Sequence, residues 1–185
     1  LAPPELIAVH PLGKSPVITD AGLTVAESGA ILEYLVDRYG QGRLKPAADS
    51  ADALRYRYWM HYAEGSAMPP LLMKLVFNRI ESAPMPFFIK PIAKGIAAKV
   101  KAGFIQPQID SHMNFIEAEL GKSAWLAGES FTAADVQMSF PLEAAAARGG
   151  SAAQQPRISA FLQRIHARPA YQRALERGGP YTLMS

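Results

Sequence analysis

The sequence predicts a mainly α-helical fold with a small α/β part. Strand-like patterning is confined to residues 17–25, whereas every periodic segment from Ala51 onward repeats at helical spacing. The composition of the 185 residues, 49% hydrophobic and 19% charged, is that of a globular chain able to bury a core. These patterns divide the chain into a strand-containing part over residues 1–42 and an all-helical domain over residues 48–185. Arg43 to Ser50, with Pro46 and small or polar residues, reads as the linker.

Val17-Ile18-Thr19 and Leu23-Thr24-Val25 flank the turn Asp20-Ala21-Gly22 and read as a hairpin. Ser28 to Tyr39 follows as a helix, with Ile31, Leu32, Leu35, Val36 and Tyr39 at helical spacing. Gly40 and Gly42 close it as C-terminal glycines. Leu54, Tyr58 and Tyr62 recur every four residues and mark the next helix. Pro69-Pro70 must kink or break it, because proline lacks an N–H and clashes with the preceding turn. Leu71, Leu72, Leu75 and Val76 resume the pattern, and Pro84 and Pro86 mark a loop. Phe88 to Val100 is a basic amphipathic helix, with Ile92, Ile96 and Val100 expected on the core side and Lys90, Lys94 and Lys99 in solvent. Ile105, Ile109, Met113, Ile116 and Leu120 form the cleanest stripe, closed by Gly121. Thr132-Ala133-Ala134-Asp135 resembles a capping box, with Asp for the usual Glu. Ile158, Phe161, Leu162 and Ile165 mark another helix, and Pro169 sits where a final short one starts.

Several functions are excluded. The net charge of +3 comes from interspersed residues, so no nucleic-acid partner is expected. Without cysteine these residues hold no disulfide, Cys-ligated zinc or thiol nucleophile. No apolar run approaches the roughly 18 residues of a membrane span, and no membrane partner is expected. No signal-peptide pattern is present, and the absence of cysteine fits the expected cytoplasmic location. His10, His61, His112 and His166 lack metal-motif spacing, and no metal is expected. Gly13-Lys14-Ser15 fails as a P-loop, because Ala8 replaces the required glycine and a strand follows. Gly40-Gln41-Gly42 fails as a dinucleotide motif, because Lys45 stands where the third glycine belongs. There is no Gly-x-Ser-x-Gly elbow.

Glu27-Ser28 stands where a strand ends and a helix begins. The first N–H groups of a helix have no internal partner, and the dipole adds partial positive charge there. Ser28 beside them suits a carboxylate, and Glu27 suits an ammonium, so the pair fits an amino-acid head group. Plain capping by Ser28 is the competing reading. A cis bond at Ser15-Pro16 would turn the Ser15 N–H and C=O outward to pair with an extended peptide. Lys14 could meet a second carboxylate. Together these groups describe a site for a short peptide with charged ends.

These residues resemble the glutathione S-transferase family. The resemblance rests on His10-Pro11-Leu12-Gly13-Lys14-Ser15-Pro16-Val17-Ile18-Thr19-Asp20 and on Leu23 to Leu35 with Glu27-Ser28 at its centre. It extends to Trp59-Met60-His61-Tyr62-Ala63-Glu64-Gly65-Ser66, a segment similar to a bacterial and fungal subgroup. Trp125-Leu126-Ala127-Gly128, Phe131 to Asp135 and Arg168-Pro169-Ala170-Tyr171 also match the family. The resemblance implies that residues 1–42 are the C-terminal half of a thioredoxin-like glutathione-binding domain, followed by the family's all-helical domain. It implies that Ser15, before the cis Pro16, pairs with the cysteinyl unit of glutathione. Glu27 and Ser28 would hold the γ-glutamyl end and Lys14 the glycine carboxylate. Thr132 and Asp135 would form the structural cap.

The implied activity is transfer of the glutathione thiol to an electrophilic, apolar substrate, with glutathione as co-substrate and no permanently bound cofactor. Thiolate is the reactive form. A non-catalytic binding or regulatory protein acting through protein partners is the alternative on the same fold. The family also implies a homodimer. Tyr58, Tyr62 and Met68 are candidates for the second-substrate pocket, against a reading as ordinary core. The family's strand-helix-strand unit, which carries the thiol-activating residue, is expected upstream of Leu1. A purified protein of 20.0 kDa by mass spectrometry would contradict that expectation.

Overall fold

The computed structural model describes residues 2–147 and 155–179. Residues 148–154 and 180–185 of the predicted helical domain lie outside this range. The chain begins with a six-residue helix, α1 (Pro4–Val9), which buries no side chain and so leaves no periodic stripe in the sequence. Strands β1 (Val17–Asp20) and β2 (Leu23–Ala26) then pair antiparallel, with Val17 opposite Ala26 and Asp20 opposite Leu23. This is the predicted hairpin, and α2 (Ser28–Tyr39) has the predicted bounds. Tyr34 donates to Asp20 Oδ2 at 2.8 Å, and Tyr39 donates to the same oxygen. The end of β1 is thereby tied to the last two turns of α2.

The helix ends differently from the expectation at Gly40. Its φ is −73°, an ordinary right-handed value. Glycine is needed there for space, since a Cβ would lie 2.3 Å from the Val36 carbonyl oxygen. Gly42, at φ +76°, uses glycine's freedom in the left-handed region.

The remaining elements among the described residues are helical. They are α3 (Ala51–Tyr62), α4 (Met68–Ser82), α5 (Lys90–Val100), α6 (Gln106–Glu119), α7 (Ala133–Ala147), α8 (Pro156–His166) and α9 (Pro169–Gly178). No helix among the described residues is long and apolar enough to cross a membrane. Pro69-Pro70 does not interrupt the chain with a loop. A π-helical turn, Ala63–Ala67, joins α3 to α4, and the prolines fall in the first turn of α4. A second π-turn, Lys101–Ile105, enters α6 just before Pro107. In both places a missing proline N–H coincides with a shift of the ladder to wider spacing, so the helix re-registers rather than stopping.

The core runs through Trp59, Ile105, Ile109, Met113, Ile116, Leu142, Ile158 and Phe161, each at most 2% exposed. The predicted stripes on α6 and α8 are therefore buried as expected. Two others are rotated. On α5, Ile92 is 63% exposed and Ile96 59% exposed, and the inward positions are Ala93, Ala97 and Val100. Small side chains let α5 approach α4 closely and leave the bulky isoleucines outside. On α3, Leu54 and Tyr58 are exposed, while Tyr56, Trp59, Met60 and Tyr62 point inward.

The start of α7 is fixed by the predicted cap. Asp135, fully buried, accepts from Thr132 N–H at 2.8 Å, from Thr132 Oγ1 at 3.0 Å and from Leu126 N–H at 2.9 Å. Ala133 N–H donates to the carbonyl of Leu44 at 2.8 Å, which anchors the linker to the same helix end. These bonds determine where the next turn of α7 lies, and that turn faces α2.

Candidate functional site

The site forms where the hairpin–α2 unit meets α7 and the π-turn after α3. The Ser15-Pro16 bond is cis, as the site reading required. Glu27, not Ser28, is the N-cap of α2, and its side chain makes no capping bond. Ser28 is the first helical residue, so plain capping is not its role. Glu27 has φ +72°, a conformation that costs a non-glycine residue about 1–3 kcal/mol and is sustained by its surroundings. The first N–H to bond back into the helix is that of Ile31, to Glu27 O at 2.9 Å. The N–H groups of Ser28, Gly29 and Ala30 precede it and belong to the turn that helices leave unpaired.

A cleft of about 540 Å³ opens over this turn. Ser15, Pro16, Glu27, Ser28, Ile31 and Leu32 form one wall, and Glu64, Val136, Gln137 and Phe140 form the other. A smaller recess of about 120 Å³ shares Ser15, Pro16 and Glu27 with it and adds Lys14 and His10. The structure thus gathers Lys14, Ser15, Pro16, Glu27 and Ser28 along one continuous depression.

Tyr58, Tyr62 and Met68 do not line either cavity. Tyr62 is buried and hydrogen-bonded to His112, and burial pushes its phenol pKa upward. Tyr58 meets the rings of Trp59 and Phe115 edge-on and that of Tyr62 at a tilt. Met68 packs on the core. Of the three, Tyr62 fits the core reading, whereas Tyr58 remains 46% exposed.

Glu64 and Gln137 were missed. Glu64 sits on the π-turn, and π-turns favour functional sites because they displace one residue from the helical register. Its carboxyl pKa lies above the ordinary 4.5, because partial burial disfavours the charge and the Glu27 carboxylate repels it. The folded chain therefore binds this proton more tightly than the unfolded chain does. That contribution is complete at low pH and is lost as pH rises above 4.5 through the raised value. Glu64→Gln removes it, so the variant's melting temperature should gain on the wild type's between about pH 4 and about pH 7. A difference that is constant across this range in thermal scans would contradict the electrostatic account.

Gln137 is 4% exposed, and its Nε2 donates to Ser28 Oγ at 2.8 Å. No local pattern marks it, since its burial beside Ala133, Ala134 and Pro141 follows from the packing of α7. Among the described residues, no group of three or more His, Asp or Glu side chains could hold a metal ion.

The cis-proline hairpin and α2, set against an all-helical domain, define a two-part small-ligand-binding fold. Comparison with known proteins specifies it. The family model for the glutathione S-transferase N-terminal domain matches residues 2–37, and that for the C-terminal domain matches residues 80–169. Glutathione S-transferase 1 of Saccharomyces cerevisiae is 31% identical, over 95% of this chain and 79% of its own length. Glutathione S-transferase 3 of Schizosaccharomyces pombe is 34% identical, over 98% and 75%. A solved glutathione S-transferase from Actinobacillus pleuropneumoniae superposes with a TM-score of 0.76 at 31% identity, covering 96% of this chain and 74% of that one. A sphingomonad glutathione S-transferase solved in complex with glutathione gives a TM-score of 0.71 at 27% identity, covering 95% and 79%. The chain belongs to the glutathione S-transferase family. The N-terminal match holds α1, the hairpin and α2 of the thioredoxin-like part, and the C-terminal match falls on the all-helical part.

Proposed function

We propose that the chain is a glutathione transferase that holds glutathione in the cleft over α2 and transfers its thiol to an electrophilic, apolar substrate. The carrying observation is the α2 N-terminus, opening beside the Ser15 backbone into a cleft that continues to Lys14. The γ-glutamyl carboxylate lies on Ser28 and the first-turn N–H groups, where the helix dipole favours negative charge. Its ammonium lies between the Glu27 and Glu64 carboxylates and relieves their repulsion. The cysteinyl unit pairs with the Ser15 backbone, and Lys14 meets the glycine carboxylate. No residue lining the cleft is assigned the activation of the thiol.

A homodimer completes the reading. It is supported by the apolar side chains that α3 and α4 leave in solvent, with Leu54 72% and Leu72 54% exposed. Sedimentation at twice the monomer mass tests it.

Calorimetry with glutathione and turnover of a chlorinated aromatic electrophile test the function. Binding with turnover is the expected result. Binding without turnover across several electrophiles would indicate a non-catalytic member of the family. Absence of binding would overturn the reading.

A further inference from the structure

We infer that Gln137 is a positioning residue that fixes the Ser28 hydroxyl as a hydrogen-bond donor toward the carboxylate of the bound γ-glutamyl group. The inference rests on the proposed glutathione site and adds a residue from the other domain to it.

A serine hydroxyl has one hydrogen and two lone pairs, and its direction is set by its neighbours. Gln137 Nε2, an obligate donor, approaches Ser28 Oγ at 2.8 Å and occupies one lone pair. The serine hydrogen therefore cannot point at Gln137. It is left to turn into the cleft, where both residues form part of the lining. A ligand carboxylate is an acceptor only, so it needs that hydrogen. With Gln137 in place the polarity is set before the ligand arrives, and less orientational freedom is lost on binding.

The placement of Gln137 depends on the fold. The residue is buried. It lies two residues beyond Asp135, the fully buried cap that fixes the start of α7. It bonds to a residue 109 positions away in the chain. Burying an amide is costly unless it is hydrogen-bonded. A leucine or methionine would satisfy the packing of α7 on α2 without that cost, so packing alone does not call for glutamine.

A double-mutant cycle read by glutathione calorimetry tests this, with Ser28→Ala, Gln137→Met and the double variant. Gln137→Met should weaken binding about fivefold, the size of one neutral hydrogen bond. In the Ser28→Ala background the same change should alter affinity less than about twofold, because there is no hydroxyl left to orient. Gln137→Glu, an acceptor of similar shape, should weaken binding more than Gln137→Met, because it draws the serine hydrogen away from the ligand. A purely structural clamp would cost the same in both backgrounds. Equal losses with and without the hydroxyl, or full affinity in Gln137→Met, would overturn the inference. Unchanged affinity in Ser28→Ala alone would instead overturn the assignment of Ser28, which separates the two failures.

Discussion

Ser28→Ala is expected to weaken glutathione binding about ten- to a hundredfold without unfolding the chain. A hydrogen bond to a charged group contributes roughly 1.5–3 kcal/mol, which sets that range. The hydroxyl is free for this role because it does not cap α2. Glu27 occupies the N-cap, and Ser28 Oγ takes its internal hydrogen bond from Gln137. The fold should survive because alanine is a good residue for a first helical turn. Gln137 Nε2 would then be buried without its acceptor in both the free and the bound protein, so that cost falls on stability rather than on affinity. Calorimetry gives the affinity, and circular dichroism confirms the fold. Equal affinities in the two proteins would remove Ser28 from the site.

Asp135→Ala should have the largest effect on stability, about 3–5 kcal/mol. The wild-type carboxylate satisfies two backbone N–H groups and one hydroxyl where no water reaches, since Asp135 is fully buried and Leu126 is too. Alanine leaves all three donors unpaired, and each buried unpaired donor costs about 1–3 kcal/mol. For a chain of this size that corresponds to a fall of roughly 10 °C in melting temperature. The same loss should loosen α7 and displace Gln137 two residues on, so glutathione affinity should fall as well. A melting temperature within about a degree of wild type would contradict this account of the cap.

The two residues differ in how visible they were before the fold was known. Asp135 was legible because its partner Thr132 is three residues away and the box is a local pattern. The hairpin and α2 were legible for the same reason, since Asp20-Ala21-Gly22 and the Ser28–Tyr39 stripe act over short distances. Lys14, Ser15, Glu27 and Ser28 were also readable, as they flank one proline and one helix start. Glu64 and Gln137 were not, because tertiary packing alone brings them to α2. The rotated faces of α3 and α5 show a second limit. Periodicity reports which residues share a helix face, but not which of two apolar faces meets the core. On α5 close approach favoured Ala97 over Ile96, and on α3 Trp59 and Met60 took the place expected for Leu54 and Tyr58. Pro69-Pro70 shows a third limit, since the sequence marks the lost hydrogen bonds but not how the helix absorbs them.

The central claim is that the α2 N-terminus holds the γ-glutamyl end of glutathione. A crystal structure of the protein with glutathione tests it most directly. The α-carboxylate of the γ-glutamyl unit should lie within hydrogen-bonding distance of Ser28 Oγ and the first-turn N–H groups of α2, with the cysteinyl unit along the Ser15 backbone. Glutathione bound with its γ-glutamyl end away from Ser28, or a cleft left empty at saturating glutathione, would contradict it.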